Sequence, residues 1–267
     1  MKFHVILLLA LSLCILSCKT EKKDSNTPSN SSAEDIQTSA VTQKVSTLTI
    51  LPIEHASLVL EWNDITIYID PAGKVKRYGS EAPDLVLITD IHGDHMNIET
   101  LDSLNLSTSK IITPAAVAEK LPAEYTNQLV IMNNGETQEV KGIKIEAVPM
   151  YNLREEALKF HKKGRGNGYV ITLGDERFYF SGDTEDIPEM RNLKNIDRAF
   201  VCMNLPWTMT VENAADAVLE FKPKIVYPYH YRGKEKYSDV AKFKEIVNTN
   251  DPNIKVEQLH WYPEKGK

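Results

Sequence analysis

The segment that decides the fold is Thr89-Asp90-Ile91-His92-Gly93-Asp94-His95-Met96, which directly follows the apolar run Leu85-Val86-Leu87-Ile88. The apolar run is typical of a short strand buried on both faces. Titratable side chains at the end of such a strand are costly unless a partner satisfies them. A divalent metal ion is such a partner. The segment therefore predicts a metal site, and the alternative is an exposed polar turn. Its candidate ligands are Asp90, His92, Asp94 and His95.

Composition limits the class of protein and of partner. The chain has 267 residues, of which 42% are hydrophobic and 25% charged, which suits one large α/β domain or two small ones. The formal net charge is −6. A negative chain does not favour a surface for polyanions, so we expect no nucleic-acid partner.

The N-terminus predicts a membrane anchor. Residues 1–18 combine Lys2 with an apolar run too short to span a bilayer, which is typical of a signal peptide. The run ends in Ile15-Leu16-Ser17-Cys18, which resembles a bacterial lipobox with Cys18 as the lipidated residue. The alternative is a cleaved signal peptide without lipid. Residues 19–46 are polar and predict a flexible tether, so we expect a folded domain over 47–267, lipid-anchored in the cell envelope and facing the periplasm or the cell surface.

The folded part alternates between strands and helices. Three strand-like runs at 48–51, 57–62 and 65–70 come first, and a second hairpin is predicted at 168–173 and 177–180. Hairpins in both halves favour two mixed β-sheets packed face to face with helices outside, an α/β architecture of four layers. The other predicted strands are 85–88, 111–113, 129–131, 143–148, 198–203, 225–227 and 254–259. The predicted helices are 97–104, 114–120, 186–193, 211–221 and 238–248.

Further ligand-type side chains follow other predicted strands. Asp183 lies in Ser181-Gly182-Asp183-Thr184, His230 follows a strand, and His161 precedes a Gly-rich loop. Strand ends on a rigid scaffold can assemble a metal site from distant parts of a sequence. The alternatives are a helix cap for Asp183, a carbonyl-bonded ring for His230 and a solvated ring for His161.

The order of these motifs resembles the metallo-β-lactamase fold superfamily, whose hallmark is His-x-His-x-Asp-His after a strand. The resemblance covers residues 47–262. A narrower resemblance, to the L-ascorbate-6-phosphate lactonase-like metal-dependent hydrolases, rests on Glu54-His55-Ala56-Ser57, Ile69-Asp70-Pro71, Tyr179-Phe180-Ser181-Gly182-Asp183-Thr184 and Tyr227-Pro228-Tyr229-His230-Tyr231.

The resemblance implies two divalent metal ions and a role for each ligand. It assigns His92 to the first ion, and Asp94, His95 and His230 to the second. It makes Asp183 the bridging ligand. A metal-bound hydroxide is then the nucleophile, and Asp94 also orients it.

This sequence departs from the family pattern at the first ion. Asp90 stands where the first His of the hallmark is expected, and Asn152 stands where a later His is expected. Asp90 could still bind through oxygen, and His161 could supply the missing imidazole. An oxygen-richer site favours Mn²⁺ or Fe²⁺ over Zn²⁺. The alternative is a weak or empty first site.

Two further residues are candidates for the pocket. His55 matches a family histidine near the pocket, which implies substrate contact or proton transfer, and the alternative is a structural hydrogen bond. Trp207 is expected either to form a wall of the pocket or only to pack.

The predicted function is that of a metal-dependent hydrolase. The resemblance implies cleavage of an ester, lactone or phosphodiester bond, and we expect the substrate to be an extracytoplasmic small molecule or a lipid-like compound. The alternative is a non-catalytic ligand-binding lipoprotein with a degenerate first metal site, which the departures at Asp90 and Asn152 favour.

Overall fold

A computed structural model describes residues 47–80 and 82–262 of the chain. The predicted signal peptide, the lipid attachment at Cys18 and the tether over 19–46 lie outside the described residues. None of the helices within the described ranges has both the length and the apolar composition of a transmembrane helix.

The first sheet has six strands that follow one another in chain order. They are β1 (Leu48–Glu54), β2 (Ser57–Trp62), β3 (Ile65–Ile69), β4 (Leu85–Leu87), β5 (Lys110–Thr113) and β6 (Leu129–Ile131). Tight turns join the first three strands, which are therefore antiparallel. Longer connections precede β4, β5 and β6, which pair in parallel. The helices α1 (Ile98–Ser103) and α2 (Ala115–Ala118) lie in two of these connections.

The second sheet has seven strands, in the order β13-β12-β11-β10-β9-β8-β7. They are β7 (Thr137–Val140), β8 (Ile143–Met150), β9 (Gly166–Leu173), β10 (Glu176–Phe180), β11 (Arg198–Cys202), β12 (Ile225–Tyr229) and β13 (Lys255–Val256). The helices α3 (Pro188–Arg191), α4 (Val211–Phe221) and α5 (Val240–Asn250) connect the strands from β10 to β13, which are parallel. Thr210 caps α4 by accepting from Asn213 N.

Strand alternation explains the layers. Leu85 and Leu87 belong to the large core cluster, which also contains side chains of the second sheet, whereas Val86 belongs to a separate cluster with Leu101 of α1 and Val117 of α2. The helices α4 and α5 bury apolar side chains in the large cluster from the other side. The predicted architecture of two mixed sheets with helices outside is confirmed.

Several predicted elements differ in extent from the observed ones, and one strand was missed. The strand β7 was not predicted, because its sequence Thr-Gln-Glu-Val is polar and it forms an edge that pairs with β8 alone. The last strand is only Lys255–Val256, shorter than the predicted 254–259. The helix predicted over 186–193 begins at Pro188, whose fixed φ suits a first helical position.

Candidate metal centre

All the candidate side chains lie near one another, where strands of both sheets end. The ligand-type residues form three overlapping groups, in each of which the candidate ligand atoms lie within 4.8 Å of one another. The groups are Asp90, His92 and His161; His95, Asp183 and His230; and His55, Asp94 and His230.

The backbone leaves the sheets abruptly at this edge. His55, Asp70 and His230 adopt left-handed φ angles of 53°, 45° and 45°. Residues other than glycine rarely adopt this region, and it is retained where the surrounding structure imposes it. These residues lie in the β1–β2 turn and directly after β3 and β12, so rare backbone conformations occur where candidate side chains lie.

The first group centres on Asp90, which is fully buried. Its Oδ2 atom lies 2.6 Å from His92 Nδ1 and 3.9 Å from His161 Nε2. His161 is only 1% exposed, so the interpretation of a solvated ring is wrong.

Asn152 lies behind His161 and not among the ligand atoms of the first group. Its Oδ1 atom lies 3.4 Å from His161 Nδ1, and its Nδ2 atom donates to the carbonyls of Ala157 and Trp207 at 2.9 and 2.7 Å. Because its amide is engaged in this way, Asn152 orients the ring of His161, and His161 supplies the nitrogen that faces the first group.

The second group centres on Asp183. Its Oδ1 atom lies 3.3 Å from His230 Nε2, and its Oδ2 atom lies 3.5 Å from His95 Nε2. Asp183 Oδ2 is also 3.3 Å from His161 Nε2, so this carboxylate stands between the two groups. Asp94 Oδ2 lies 3.4 Å from His230 Nε2. Asp183 caps no helix, because the residue that precedes α3 is Ile187.

Three buried atoms of the second group make no hydrogen bond within the described part of the chain: His95 Nε2, Asp183 Oδ1 and His230 Nδ1. Buried polar atoms are almost always satisfied, and a divalent cation between the side chains would satisfy His95 Nε2 and Asp183 Oδ1. A donor set of imidazole nitrogen and carboxylate oxygen suits Zn²⁺, Mn²⁺ or Fe²⁺, so the second group fits a metal ion.

Asp70 is a site residue to which sequence reasoning assigned no role. Its Oδ2 atom lies 2.8 Å from His95 Nδ1, and its carboxylate also accepts from the backbone N and the hydroxyl of Thr89, both at 2.7 Å. A buried carboxylate behind a histidine is the usual outer partner of a metal-binding imidazole. The available signal was an acid at the end of an apolar strand, the same signal that identified Asp90.

Arg165 is the second residue that sequence reasoning missed. Its Nε and Nη2 atoms donate to Asp90 Oδ1 and Oδ2 at 3.1 and 2.9 Å. The sequence carried no signal for this pair, because Arg165 follows two lysines in a polar loop. Asp90 is thus bound by a cation that belongs to the chain, which the expectation of a simple metal ligand did not include.

Charged neighbours shift the pKa values of several side chains in the centre. Burial alone would raise the pKa of Asp183, but His230 and His95 hold that pKa well below its usual range. Burial alone would lower the pKa of His95, but Asp70 and Asp183 raise it well above its usual value. Asp94 is a carboxylate at neutral pH, since a hydrogen bond from His230 outweighs burial and lowers its pKa.

Two cavities open onto the centre. One, of about 590 Å³, is lined by His55, Asp94, His230 and a segment running from Arg232 to Tyr237, and the other, of about 280 Å³, by residues of both groups. Trp207 lines both cavities and therefore forms a wall.

The ring of His55 contacts the ring of His230 edge-on, with 5.2 Å between the ring centroids. Burial, followed by the nearby His230 and Arg232, lowers the pKa of His55 to about 3.

Comparison with known proteins identifies the family. Residues 49–230 match the family model described as a β-lactamase superfamily domain. The chain belongs to the metallo-β-lactamase superfamily. A superfamily member from Pyrococcus horikoshii, named a UPF0173 metal-dependent hydrolase, is 31% identical over 205 residues, which are 72% of this chain and 89% of that protein.

Solved structures agree with this family. A protein from Parabacteroides distasonis, assigned as a metal-dependent hydrolase, is 37% identical with a TM-score of 0.71, over 80% of this chain and 93% of that one. The metallo hydrolase Igni18 from Ignicoccus hospitalis, at 22% identity and a TM-score of 0.67 over 80% of this chain and 95% of that one, shares the fold. The fold and the general class of metal-dependent hydrolase are therefore confirmed, and the bond that is cleaved is a separate matter.

Proposed function

We propose that this chain hydrolyses an ester, lactone or phosphodiester bond of an extracytoplasmic substrate. The observation that carries the proposal is the pair of buried, unpartnered atoms His95 Nε2 and Asp183 Oδ1 beside an open cavity. Asp94, His95, Asp183 and His230 would hold one divalent ion, and Asp90, His92 and His161 face the position of another. We include the lactone among the candidate substrates because several motifs resemble the ascorbate-6-phosphate lactonase-like branch.

The residues around the metal centre have different roles in hydrolysis. When bound, a divalent ion, either zinc or the harder manganese or iron, would supply a Lewis acid that lowers the pKa of water and polarises the scissile oxygen. Asp94 is a carboxylate at neutral pH with a 39% exposed side chain, so it can orient a water by accepting a hydrogen bond from it. His55 is a neutral imidazole at the cavity surface, because its pKa of about 3 keeps it unprotonated, and it can accept a hydrogen bond from the substrate.

Charge at the larger cavity favours the phosphodiester among the three bonds. Arg232, Lys234 and Lys236 line it together with a single acid of the same segment, Glu235. Arg232 lies 3.7 Å from Glu54, while the two lysines are exposed. The three cations outnumber the two acids that line the cavity, Glu235 and Asp94, and an excess of positive charge attracts an anionic substrate.

A substrate panel tests this preference. Purified full-length chain would be assayed on bis(p-nitrophenyl) phosphate, p-nitrophenyl acetate and a simple lactone. We expect the phosphodiester to be the best substrate and the Lys234→Met/Lys236→Met variant to raise its KM by about tenfold with little change in kcat, since binding charge is lost. Lys244→Met, an exposed change on α5, is the matched control. Faster turnover of the ester or lactone, unaffected by the lysines, would overturn the phosphodiester preference.

We also propose that Cys18 carries the lipid that places the domain at a bacterial membrane. The support is the lipobox-like sequence that ends at Cys18, and the polar stretch that follows it. Labelling of cells with a radioactive fatty acid is expected to mark the wild type and Cys14→Ser, but not Cys18→Ser. Equal labelling of both variants would contradict the anchor.

The second candidate function, a non-catalytic ligand-binding lipoprotein, gains support from one observation. Asp90 is bound by Arg165 and so resembles a ligand position that has been altered. Ligand binding to the metal-loaded chain without turnover of any ester, lactone or phosphodiester would favour this function over hydrolysis.

A further inference from the structure

The two groups of ligands differ in the charge of the outer side chain that is hydrogen-bonded to a ligand. In the second group, the buried carboxylate of Asp70 accepts from His95 Nδ1 at 2.8 Å. In the first group, the guanidinium of Arg165 donates two hydrogen bonds to Asp90, at 2.9 and 3.1 Å. An anion behind a ligand strengthens its binding to a cation, whereas a cation behind a ligand competes with the ion.

The ion pair between Asp90 and Arg165 is held in place from both sides. Arg165 also donates to the carbonyl of Phe160 at 2.5 Å, and its side chain is only 18% exposed. The next residue, Gly166, packs so closely on Thr89 that an added Cβ would lie 2.9 Å from the Thr89 carbonyl oxygen. The loop that carries Arg165 is therefore fixed against the segment that carries Asp90.

Hydrogen-bond donors of the chain already occupy most of the lone-pair positions of the Asp90 carboxylate. A carboxylate offers about four lone-pair positions, and Arg165 Nε, Arg165 Nη2 and His92 Nδ1 take three of them. An ion at the first position has to take His92 away from Asp90 and to sit beside a guanidinium. Because arginine does not lose its proton in proteins, this repulsion persists at every working pH.

The position of Arg165 also preserves the charge of the family pattern. An aspartate paired with an arginine is neutral overall, like the neutral histidine that the superfamily hallmark has at position 90. Arg165 therefore offsets the extra negative charge of Asp90 without an ion, whereas the ligands of the second group keep unpartnered atoms.

We propose that Arg165 takes the cation's place at the first position, so that the chain holds one divalent ion tightly at the second group and a further ion only weakly. This inference deepens the proposed function and rests on its metal centre. It replaces the symmetric two-ion centre that the family resemblance implies with an unequal one, in which Arg165 sets the number of ions retained.

Metal stoichiometry tests the inference without any assay of hydrolysis. Full-length chain would be stripped with a chelator, loaded with zinc or manganese, desalted and analysed by mass spectrometry for metal. We expect about one ion per chain for the wild type and for Arg165→Lys, which keeps the charge, and about two for Arg165→Met. In competition with a metal indicator, Arg165→Met should bind the second ion at least about tenfold more tightly. Lys162→Met, an exposed change in the same loop, is the matched control and should behave as the wild type.

A second variant distinguishes an effect on metal binding from an effect of misfolding. Arg165→Met leaves the buried Asp90 without its partner, so its metal-free form should melt at a lower temperature than the wild type. Asp90→His/Arg165→Met restores a neutral ligand, and we expect it to melt near the wild type and to retain about two ions.

The outcomes separate the two proposals. Two ions retained by the wild type, or one ion retained by a folded Asp90→His/Arg165→Met variant, would overturn the role of Arg165 and leave the hydrolase proposal intact. Failure of every folded variant to bind metal would overturn both, because no metal centre would exist.

Discussion

Asp70 Oδ2 lies 2.8 Å from His95 Nδ1, and both side chains are fully buried. The contact fixes the orientation of the His95 ring, so that Nε2 faces Asp183. Since Asp70 also accepts two hydrogen bonds from Thr89, the end of β3 and the segment after β4 are joined at this point. The carboxylate that the sequence places at the end of β3 thus determines how the metal ligand after β4 is presented.

Removal of this charge should weaken the metal centre. In Asp70→Asn the side chain keeps its size but loses its charge, and we expect metal affinity to fall by about 10- to 100-fold, as for other outer partners of metal-binding histidines. Competition with a metal indicator measures the change. Asp175→Asn, in the exposed turn between β9 and β10, is the control, and equal affinities of the two variants would contradict the role given to Asp70.

Metal affinity should rise with pH. In the metal-free chain Asp70 and Asp183 overcome burial and raise the pKa of His95, so His95 carries a proton at neutral pH. An ion needs the neutral imidazole and must displace this proton, so we expect affinity to increase by about tenfold per pH unit below that pKa. Titration calorimetry in buffers of different ionisation enthalpy counts the protons released. Binding that releases none at pH 7 would contradict a protonated His95.

The close approach of β9 to β10 should make Gly168 intolerant of a side chain. A Cβ at Gly168 would lie 2.9 and 3.0 Å from the carbonyl oxygens of Phe180 and Ser181. These are backbone atoms, so they cannot move away without distorting the strand and the residue that follows it. We expect Gly168→Ala to lower the free energy of unfolding by about 1–3 kcal/mol. Gly93→Ala is the control, because its Cβ meets nothing within 4 Å, and it should change stability much less. Urea unfolding compares the two variants, and a Gly168→Ala chain as stable as Gly93→Ala would show that the backbone around Gly168 accommodates a side chain.

Trp207 should matter for substrate binding more than for metal binding. It lines both cavities beside the centre but supplies no ligand atom. We expect Trp207→Ala to raise KM by about tenfold or more while metal content stays unchanged, since a wall of the pocket is lost. Loss of metal in this variant would show that Trp207 acts on the centre itself.

The sequence was informative where signals are local. Alternating and apolar runs identified most strands, and acids and histidines directly after them identified the ligand candidates Asp90, His92, Asp94 and His95. The edge strand β7 escaped because a polar strand paired on one side lacks the apolar pattern.

The missed parts of the centre depend on contacts between distant residues. Arg165 lies 75 residues from its partner Asp90, and Asp70 lies 25 residues from His95. No local pattern distinguishes an arginine that will meet a buried carboxylate from one that will be solvated. The family resemblance did not help there either, because Asp90 is where this chain departs from the family.

Hydrolysis by the stripped and reconstituted full-length chain tests directly whether the metal centre is required for catalysis. The substrate is bis(p-nitrophenyl) phosphate, and zinc or manganese is added in small steps to the stripped chain. We expect only the uncatalysed rate after chelation, and activity should return as metal is added and reach most of its maximum at about one ion per chain. Hydrolysis that survives complete removal of metal would contradict this requirement.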